Sequence, residues 1–355
     1  MQSLDEKKRD IFEVVGEKGL FSVEKQSIKL SERDLSGTGQ IPVFSSQTSN
    51  NGVMGFTNKV ADFFIKDTPA LIFGDHTKSM DISNHSFCAA DNVKVLRPQN
   101  IPFDALFYVS CAWKKRIPDM GYARHWRKAK KVGIELPVTD SGEPDYAYMA
   151  EYAQQKRNAM LAKYRAYVEA RIAELGEVAE IPALDEKEWK PIFISSMFEL
   201  VRGRENNMAM LEDGDTPLIS AKANNNGLKG FVHNPKKIIA GQCITLNNDG
   251  DGGAGLAYYQ PANMALDSHV TALVPLIDMS AFVMLFIAKC ISGLHGFFGH
   301  GLSISNPRAK RLRIMLPVTD SGEPDYKYME QYAKNMMLRK YQQYLTFLHQ
   351  RSNTR

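Results

Sequence analysis

The hydrophobic pattern alternates between short apolar runs of strand length and longer stretches with helical spacing, and this succession occurs in both halves of the chain. Apolar runs begin at Ile41, Trp189 and Thr216 and end in polar residues, as expected for β-strands. Asn-Asn-Gly follows at 50–52 and at 225–227. Because Asn and Gly tolerate positive φ, each triplet predicts a hairpin turn into a second strand.

Helical periodicity predicts a buried apolar helix and a long amphipathic helix in each half. The buried helices are expected over about Asp104–Trp113 and Met279–Ile291, and the long ones over about Asp145–Leu175 and Asp325–Gln350. The apolar faces of the long helices comprise Leu161, Tyr164, Val168, Ile172 and Leu175, and Met329, Tyr332, Met336, Tyr341, Tyr344 and Leu348. A helix of about 30 residues is about 45 Å long, which favours pairing of the two as a coiled coil over packing of each on its own domain.

An internal repeat explains this doubled pattern. Leu136–Tyr146 and Leu316–Tyr326 are identical over eleven residues, Leu-Pro-Val-Thr-Asp-Ser-Gly-Glu-Pro-Asp-Tyr. Weaker matches join Ile41–Phe56 to Thr216–Phe231, and Ala90–Leu96 to Asp267–Leu273. In both copies Glu-Pro-Asp precedes the long helix, where acidic residues and proline are favourable. The chain is therefore a tandem duplication, each half ending in a helix.

Composition is that of a globular protein with a mild excess of positive charge. Hydrophobic residues make up 44% and charged residues 24% of the chain, and the net charge is +4. This charge permits a polyanionic partner without requiring one. The four cysteines form no Cys-x-x-Cys pair, which favours small buried side chains in a reducing compartment. The Met279–Ile291 run is too short to cross a bilayer.

Catalytic and metal-binding signatures are weak, so the sequence predicts neither a catalytic residue nor a metal site. Glu188-Trp189-Lys190 resembles a nuclease triplet but lies in an acidic linker and has no counterpart in the first half. Asn248–Gly255 lacks the distal Glu of a calcium loop and the Lys of a P-loop. His295 and His300 are five residues apart, and no histidine pair has the i, i+4 spacing of a zinc helix.

Polar loops and basic stretches recur at matching places in both halves, and they are the candidate DNA-binding elements. Amide and hydroxyl side chains hydrogen-bond base edges, whereas Arg and Lys contact phosphates. The basic stretches lie at 122–131 and 298–313, just before the repeated motif. The candidate DNA-binding residues are Ser45, Ser46, Gln47, Thr48, Asn50, Asn51, His76, Lys78, Arg124, His125, Arg127, Lys128, Lys222, Asn224, Asn225, Asn226, Asn248, Asp249, His300, Arg308 and Lys310.

The order of these motifs resembles that of the DNA specificity subunits of type I restriction-modification systems, and most closely that of the smaller specificity subunits of BcgI-like type IIB systems. An Ile-Pro or Thr-Pro strand is followed by Asn-Asn-Gly, an Asn-Asp-Gly loop, Asp-Ser-His-Val, a basic stretch and Leu-Pro-Val before a long helix. The resemblance covers nearly the whole chain twice. The first half departs from it at Phe73–His76 and Ala90–Val93.

The resemblance implies an α+β protein with two tandem target recognition domains of mixed α/β fold. They would occupy residues 1–143 and 179–323, with spacer helices at 144–178 and 324–355 that pair as an antiparallel coiled coil. Each domain would recognise one half of a bipartite target in double-stranded DNA, and the helices would fix the gap between the halves.

The resemblance also implies a non-catalytic cytoplasmic subunit without a cofactor of its own. A methyltransferase or fused restriction-modification subunit would supply adenine methylation with S-adenosylmethionine and cleavage with Mg²⁺. Two alternatives remain open at this point. The chain could be a stand-alone DNA-acting enzyme such as a nuclease, or a methyltransferase-binding scaffold that does not recognise DNA.

Overall fold

The computed structural model divides the chain into two compact units, Met1–Tyr164 and Arg165–Arg355. The structure describes residues 6–25, 29–59, 64–66, 68–121, 123–206, 210–250, 253–299 and 301–353. Within these ranges, no helix combines the length and the apolar character needed to cross a membrane.

The first unit contains two four-stranded sheets and one two-stranded sheet. Its strands are β1 (Arg9–Phe12), β2 (Phe21–Val23), β3 (Ile41–Phe44), β4 (Val53–Thr57), β5 (Phe64–Ile65), β6 (Ala70–Gly74), β7 (Met80–Ser83), β8 (Phe87–Ala89), β9 (Val93–Pro98) and β10 (Ile134–Pro137). The sheet orders are β2-β9-β6-β7, β4-β3-β8-β5 and β1-β10. Its helices are α1 (Phe103–Arg116), α2 (Trp126–Ala129) and the start of α3 (Tyr146–Leu175), which continues into the second unit.

The second unit repeats this topology strand for strand. Its strands are β11 (Trp189–Phe193), β12 (Phe198–Arg202), β13 (Asp213–Ile219), β14 (Leu228–Val232), β15 (Ile238–Ile239), β16 (Cys243–Asn247), β17 (Ala257–Gln260), β18 (Met264–Leu266), β19 (Val270–Pro275) and β20 (Arg313–Pro317). The sheet orders are β12-β19-β16-β17, β14-β13-β18-β15 and β11-β20. Its helices are α4 (Ile194–Met197), α5 (Ala281–Ser292), α6 (Asn306–Lys310) and α7 (Tyr326–Asn353). The duplication inferred from the sequence is therefore also a duplication of fold.

Each unit has its main core where an apolar helix covers a four-stranded sheet. In the first unit, Trp113 of α1 is fully buried and stacks with Phe21 and Phe73 of the sheet. In the second unit, Ile287 of α5 is fully buried and belongs to the same cluster as Ile244. The prediction of buried helices in these two positions is confirmed by α1 and α5.

The Asn-Asn-Gly triplets form the predicted hairpin turns. Asn50, Asn51 and Gly52 have φ of 50°, 49° and 77°, and the second triplet, at 225–227, has φ of 51°, 52° and 75°. A side chain at Gly52 would also collide with a carboxylate oxygen of Asp81. These turns join β3 to β4 and β13 to β14, so both sheets begin with the same hairpin.

The eleven identical residues form the same turn and helix start in both units. The Thr139 amide donates to the Glu143 carbonyl at 2.9 Å, and the Gly142 amide donates to the Thr139 carbonyl at 3.0 Å. The carboxylate of Asp145 then accepts the Tyr148 amide at 3.0 Å and caps α3. Asp325 caps α7 through Tyr328 at the same distance. The identity therefore preserves a structural junction.

A half-buried ion pair completes each junction and produces a testable acid dependence. Lys7 and Lys187 contact Asp145 and Asp325, each at 2.8 Å. The Lys7 hydrogen bond lowers the pKa of Asp145. Burial opposes ionisation of Asp325, but hydrogen bonds from Lys187 and the Tyr328 amide outweigh it, so the pKa of this carboxyl is also lowered. Stabilisation from either carboxylate is present above its unfolded pKa of about 4 and disappears as pH falls through the folded value.

We expect Asp145→Asn and Asp325→Asn each to lower the free energy of unfolding by about 1 kcal/mol at pH 7, because asparagine keeps the helix cap but loses the ion pair. Urea unfolding measured between pH 7 and pH 3 should show this difference shrinking as the wild-type carboxylate becomes protonated. A difference that is independent of pH would contradict the assignment.

The end of α3 and the segment after it pack along α7 in the antiparallel sense. The ring centroids of Tyr167 and Tyr341 are 6.3 Å apart. Asn335 Nδ2 donates to the Ala179 carbonyl at 2.8 Å, and the Ala179 amide donates to Asn335 Oδ1 at 3.0 Å. Further along, the Tyr328 hydroxyl donates to the Pro182 carbonyl at 3.0 Å. Residues 179–182 are therefore held against the helix.

The helices form as predicted, but the predicted apolar faces are partly wrong. Leu161 and Met336 are exposed, whereas Asn335 and Leu338 are among the buried residues of α7. Asn335 is buried because the extended segment beside it has backbone groups that need polar partners.

Candidate nucleic-acid interface

A basic groove opens in the first unit where the loop after β6 meets α2. Its volume is about 520 Å³, and it is lined by Asp75, Lys94, Met120, Ala123, Arg124, Trp126, Arg127 and Lys128. The Asp75 carboxylate is occupied, because it accepts the Trp126 amide at 2.6 Å. Arg124, Arg127 and Lys128 are exposed, and Lys94 is half-buried. The groove therefore presents cations to solvent, as a site for phosphates requires.

His125 was predicted to contact DNA, but the structure buries it beneath this groove. Its side chain is 1% exposed, and its backbone amide donates to the Asp75 carbonyl at 2.8 Å. Ring atom Nε2 accepts the Met120 amide at 3.2 Å, so the proton lies on Nδ1, which donates to Asp75 O at 3.1 Å. His125 therefore positions Arg124 and the start of α2, which carries Arg127, and has no surface left for a phosphate.

Hydroxyl groups brace the loop after β6. Ser46 Oγ accepts the His76 amide at 3.0 Å, and Thr77 Oγ1 accepts the Ser79 amide at 3.2 Å. A side chain at Gly74 would collide with the hydroxyls of Ser46 and Ser79. Lys78, another predicted contact, lies 3.5 Å from the Asp119 carboxylate. In this structure Ser46 and Lys78 thus support the loop beside the groove.

Some candidates on the hairpin turns also have structural partners. Gln47 Nε2 donates to the Val53 carbonyl at 2.6 Å, and Lys222 Nζ donates to the equivalent Leu228 carbonyl at 3.1 Å. Asn50 Nδ2 donates to the Val53 carbonyl at 2.9 Å. Among the remaining turn candidates, Ser45 is half-buried. The others are exposed, and they are Thr48, Asn51, Asn224, Asn225 and Asn226.

The second unit has a groove with a volume of about 600 Å³, which shares with the first the loop after β16, equivalent to that after β6, and the stretch before β20. It is lined by Ser220, Ala221, Lys222, Lys229, Asp249, Gly250, Asp267, His269, Gly299, Gly301 and Ser303. The predicted residues Lys222 and Asp249 therefore come together here. Arg308 instead donates to the Ser303 carbonyl at the groove edge. Lys310 is exposed outside the lining, and His300 lies outside the described residues.

Asn248 was predicted to contact DNA and is instead part of the frame of this groove. It is 1% exposed, and its Nδ2 donates to Thr271 Oγ1 at 2.9 Å. Its backbone amide donates to the His269 carbonyl at 2.9 Å, and its carbonyl accepts the Ile304 amide at 2.7 Å. These bonds join the loops of the groove and leave the Asn248 side chain no exposed surface.

Comparison with known proteins identifies relatives of the second repeat. A family model for the type I restriction modification DNA specificity domain matches residues 186–344, which span the second repeat from its first strand into α7. The first repeat has the same strand order, sheet for sheet. The second half of the chain therefore carries the match to the specificity-domain family of type I restriction-modification systems.

Individual relatives of the chain are distant in sequence. The chain is 22% identical over 272 residues to the specificity subunit of the BcgI type II restriction enzyme of Heyndrickxia coagulans, covering 76% of this chain and 77% of the relative. The match to the S subunit of a type I restriction-modification system from M. genitalium covers 100% of this chain and 96% of that subunit, with 13% identity and a TM-score of 0.45. The match to the HsdS subunit from Thermoanaerobacter tengcongensis covers 82% of this chain and 78% of that subunit, with 14% identity and a TM-score of 0.32.

Several groove residues could not be assigned to a site from the sequence alone. Lys94 and Lys229 lie on strands, where an isolated lysine gives no signal until the exposed face of the sheet is known. Asp267 and His269 belong to a recognised repeat element, but their shared groove with Asp249 required the fold. Within the described ranges, no group of three or more His, Cys, Asp or Glu side chains is arranged to hold a metal ion.

Proposed function

We propose that each unit recognises one half of a bipartite target in double-stranded DNA, using the groove described above. The observation that carries this proposal is a groove in each unit that includes the loop after the equivalent strands β6 and β16 and the stretch before β10 and β20, with basic side chains in each. A duplicated fold with two such grooves suits a ligand that offers two similar but separate sites. Double-stranded DNA offers them along one molecule.

The differences between the grooves support recognition of two different half-sites. Asp75 and Asn248 occupy equivalent positions. The Asp75 backbone amide donates to the carbonyl of Asn92, just before β9, and the Asn248 backbone amide donates to the carbonyl of His269, just before β19. The residues that follow are His76 in one unit and Asp249 in the other. Phosphate contacts need only positive charge, whereas base contacts depend on the particular side chain.

We further propose that catalysis belongs to partner subunits. A methyltransferase, separate or fused to a nuclease, would bind this chain and use S-adenosylmethionine for adenine methylation and Mg²⁺ for cleavage. The match of residues 186–344 to the specificity-domain family supports this division, and such a complex would act in the cytoplasm beside the chromosome. No observation favours a stand-alone nuclease or a scaffold that ignores DNA.

Selection from a random-sequence duplex library tests the proposal, using the chain assembled with its methyltransferase subunit. We expect the bound sequences to share two separate blocks of preferred bases, one for each unit. A single continuous block, or binding without any base preference, would overturn the proposal.

A further inference from the structure

A histidine and a carboxylate that share the second groove remain to be explained. His269 Nδ1 lies 2.7 Å from Asp249 Oδ1, and the His269 side chain is 57% exposed. An ionised carboxylate can only accept a hydrogen bond, so the ring proton must lie on Nδ1. The ring is therefore held in one tautomer, and Nε2 is its remaining hydrogen-bonding atom.

The surroundings fix the position of this histidine and balance the charges of the carboxylates beside it. The Asp267 carboxylate accepts the His269 amide at 3.0 Å and shapes the turn. Lys222 and Lys229 line the same groove and offset the charges of Asp249 and Asp267. A carboxylate beside DNA repels phosphates. A carboxylate that accepts a hydrogen bond from an imidazole N–H has its negative charge partly offset by that bond, and it also orients the ring.

The first unit places different chemistry at these two positions. Asn92 corresponds to His269, because the Asp75 amide donates to the Asn92 carbonyl at 2.8 Å just as the Asn248 amide donates to that of His269. His76 then corresponds to Asp249 as the next residue of the loop. At these two positions, the first unit therefore has its histidine on the loop after β6, whereas the second unit has its histidine on the turn before β19. The backbone hydrogen bond that joins the two segments is present in both units.

We infer that His269 is a specificity-determining residue of the second unit, which recognises one base edge through Nε2 while Asp249 holds the ring. Asp249 is a positioning residue in this inference. The inference rests on the proposed function, because it assigns one base contact within the second half-site. A structural bond common to both units would have been preserved in both, whereas a base contact differs wherever the half-sites differ.

The test is duplex-library selection with the complete complex, comparing wild type with His269→Ala and Asp249→Asn. His269→Ala should lower discrimination about five- to tenfold at one or two adjacent base pairs of the second half-site, while the first half-site is unchanged. Asp249→Asn should weaken the same preference by a smaller factor, because an amide no longer fixes the tautomer. His233→Ala is the matched control, since His233 is exposed in the same unit outside the groove.

Two results would overturn the inference. His269→Ala could leave every base preference unchanged, or it could weaken binding equally for all sequences, as loss of a phosphate contact does. Equal thermal unfolding of wild type and His269→Ala would show that the fold is intact, and His269→Gln gives a second variant that retains a polar side chain. Failure of the proposed function is distinguishable, because wild type itself would then select no second half-site.

Discussion

Replacing Arg124, Arg127 and Lys128 together with glutamate is expected to weaken DNA binding by the assembled complex at least about 100-fold at physiological salt. All three side chains are exposed and line one groove, so the change turns an attractive surface into a repulsive one. Each phosphate contact that is lost also removes one released counterion. The slope of log Kd against log salt should therefore fall by about 0.9 per contact.

A matched variant separates groove charge from total charge. Lys18, Lys115 and Arg116 are exposed in the same unit, and none lines the groove. Replacing these three with glutamate changes the net charge by the same amount and should alter Kd only a few-fold. If the groove variant binds as well as wild type, or no worse than this control, the groove of the first unit is not the DNA interface.

Truncating Trp113 to alanine is expected to destabilise the first unit by about 3–5 kcal/mol, the largest stability effect that we foresee. The indole is fully buried and stacks with Phe21 and Phe73. Its Nε1 donates to the Ala129 carbonyl at 3.1 Å, at the end of the helix that carries Arg127. The variant thus loses apolar contacts and leaves a buried carbonyl without its partner.

Urea unfolding of the whole chain measures this effect, with Cys111→Ala as the control because Cys111 is exposed on the same helix. The control should change the free energy of unfolding by less than about 0.5 kcal/mol. Trp113→Phe keeps most of the volume but loses the hydrogen bond, and should cost about 1–2 kcal/mol. A loss below 1 kcal/mol for Trp113→Ala would contradict its central place in the core.

Features that depend on short-range order could be predicted from the sequence. The hairpin turns follow from Asn and Gly at positions of positive φ, and the long helices follow from the spacing of their apolar residues. The eleven identical residues showed the duplication directly. The order of strands in each sheet joins distant segments such as β2 and β9, and no local pattern specifies it.

The candidate site was harder to predict because a side chain's role depends on burial. His125 and Asn248 are polar residues in polar stretches, but both lie in the interior, where loops from different sheets need hydrogen-bonding partners. Lys94 gave no signal, because its exposure to a groove depends on which face of the sheet is covered. The place of His269 beside Asp249 depends on how two turns come together in the fold. Asn335 behaves similarly, since its burial depends on the extended segment beside α7.

The central claim is that two units of one chain recognise two half-sites of one DNA molecule. The most direct measurement is binding of the assembled complex to duplexes in which the selected half-sites are separated by gaps that change one base pair at a time. We predict tight binding at one gap and a loss of at least about tenfold when the gap changes by two base pairs or either half-site is scrambled. Equal binding at every gap, or binding that survives the loss of one half-site, would contradict the account.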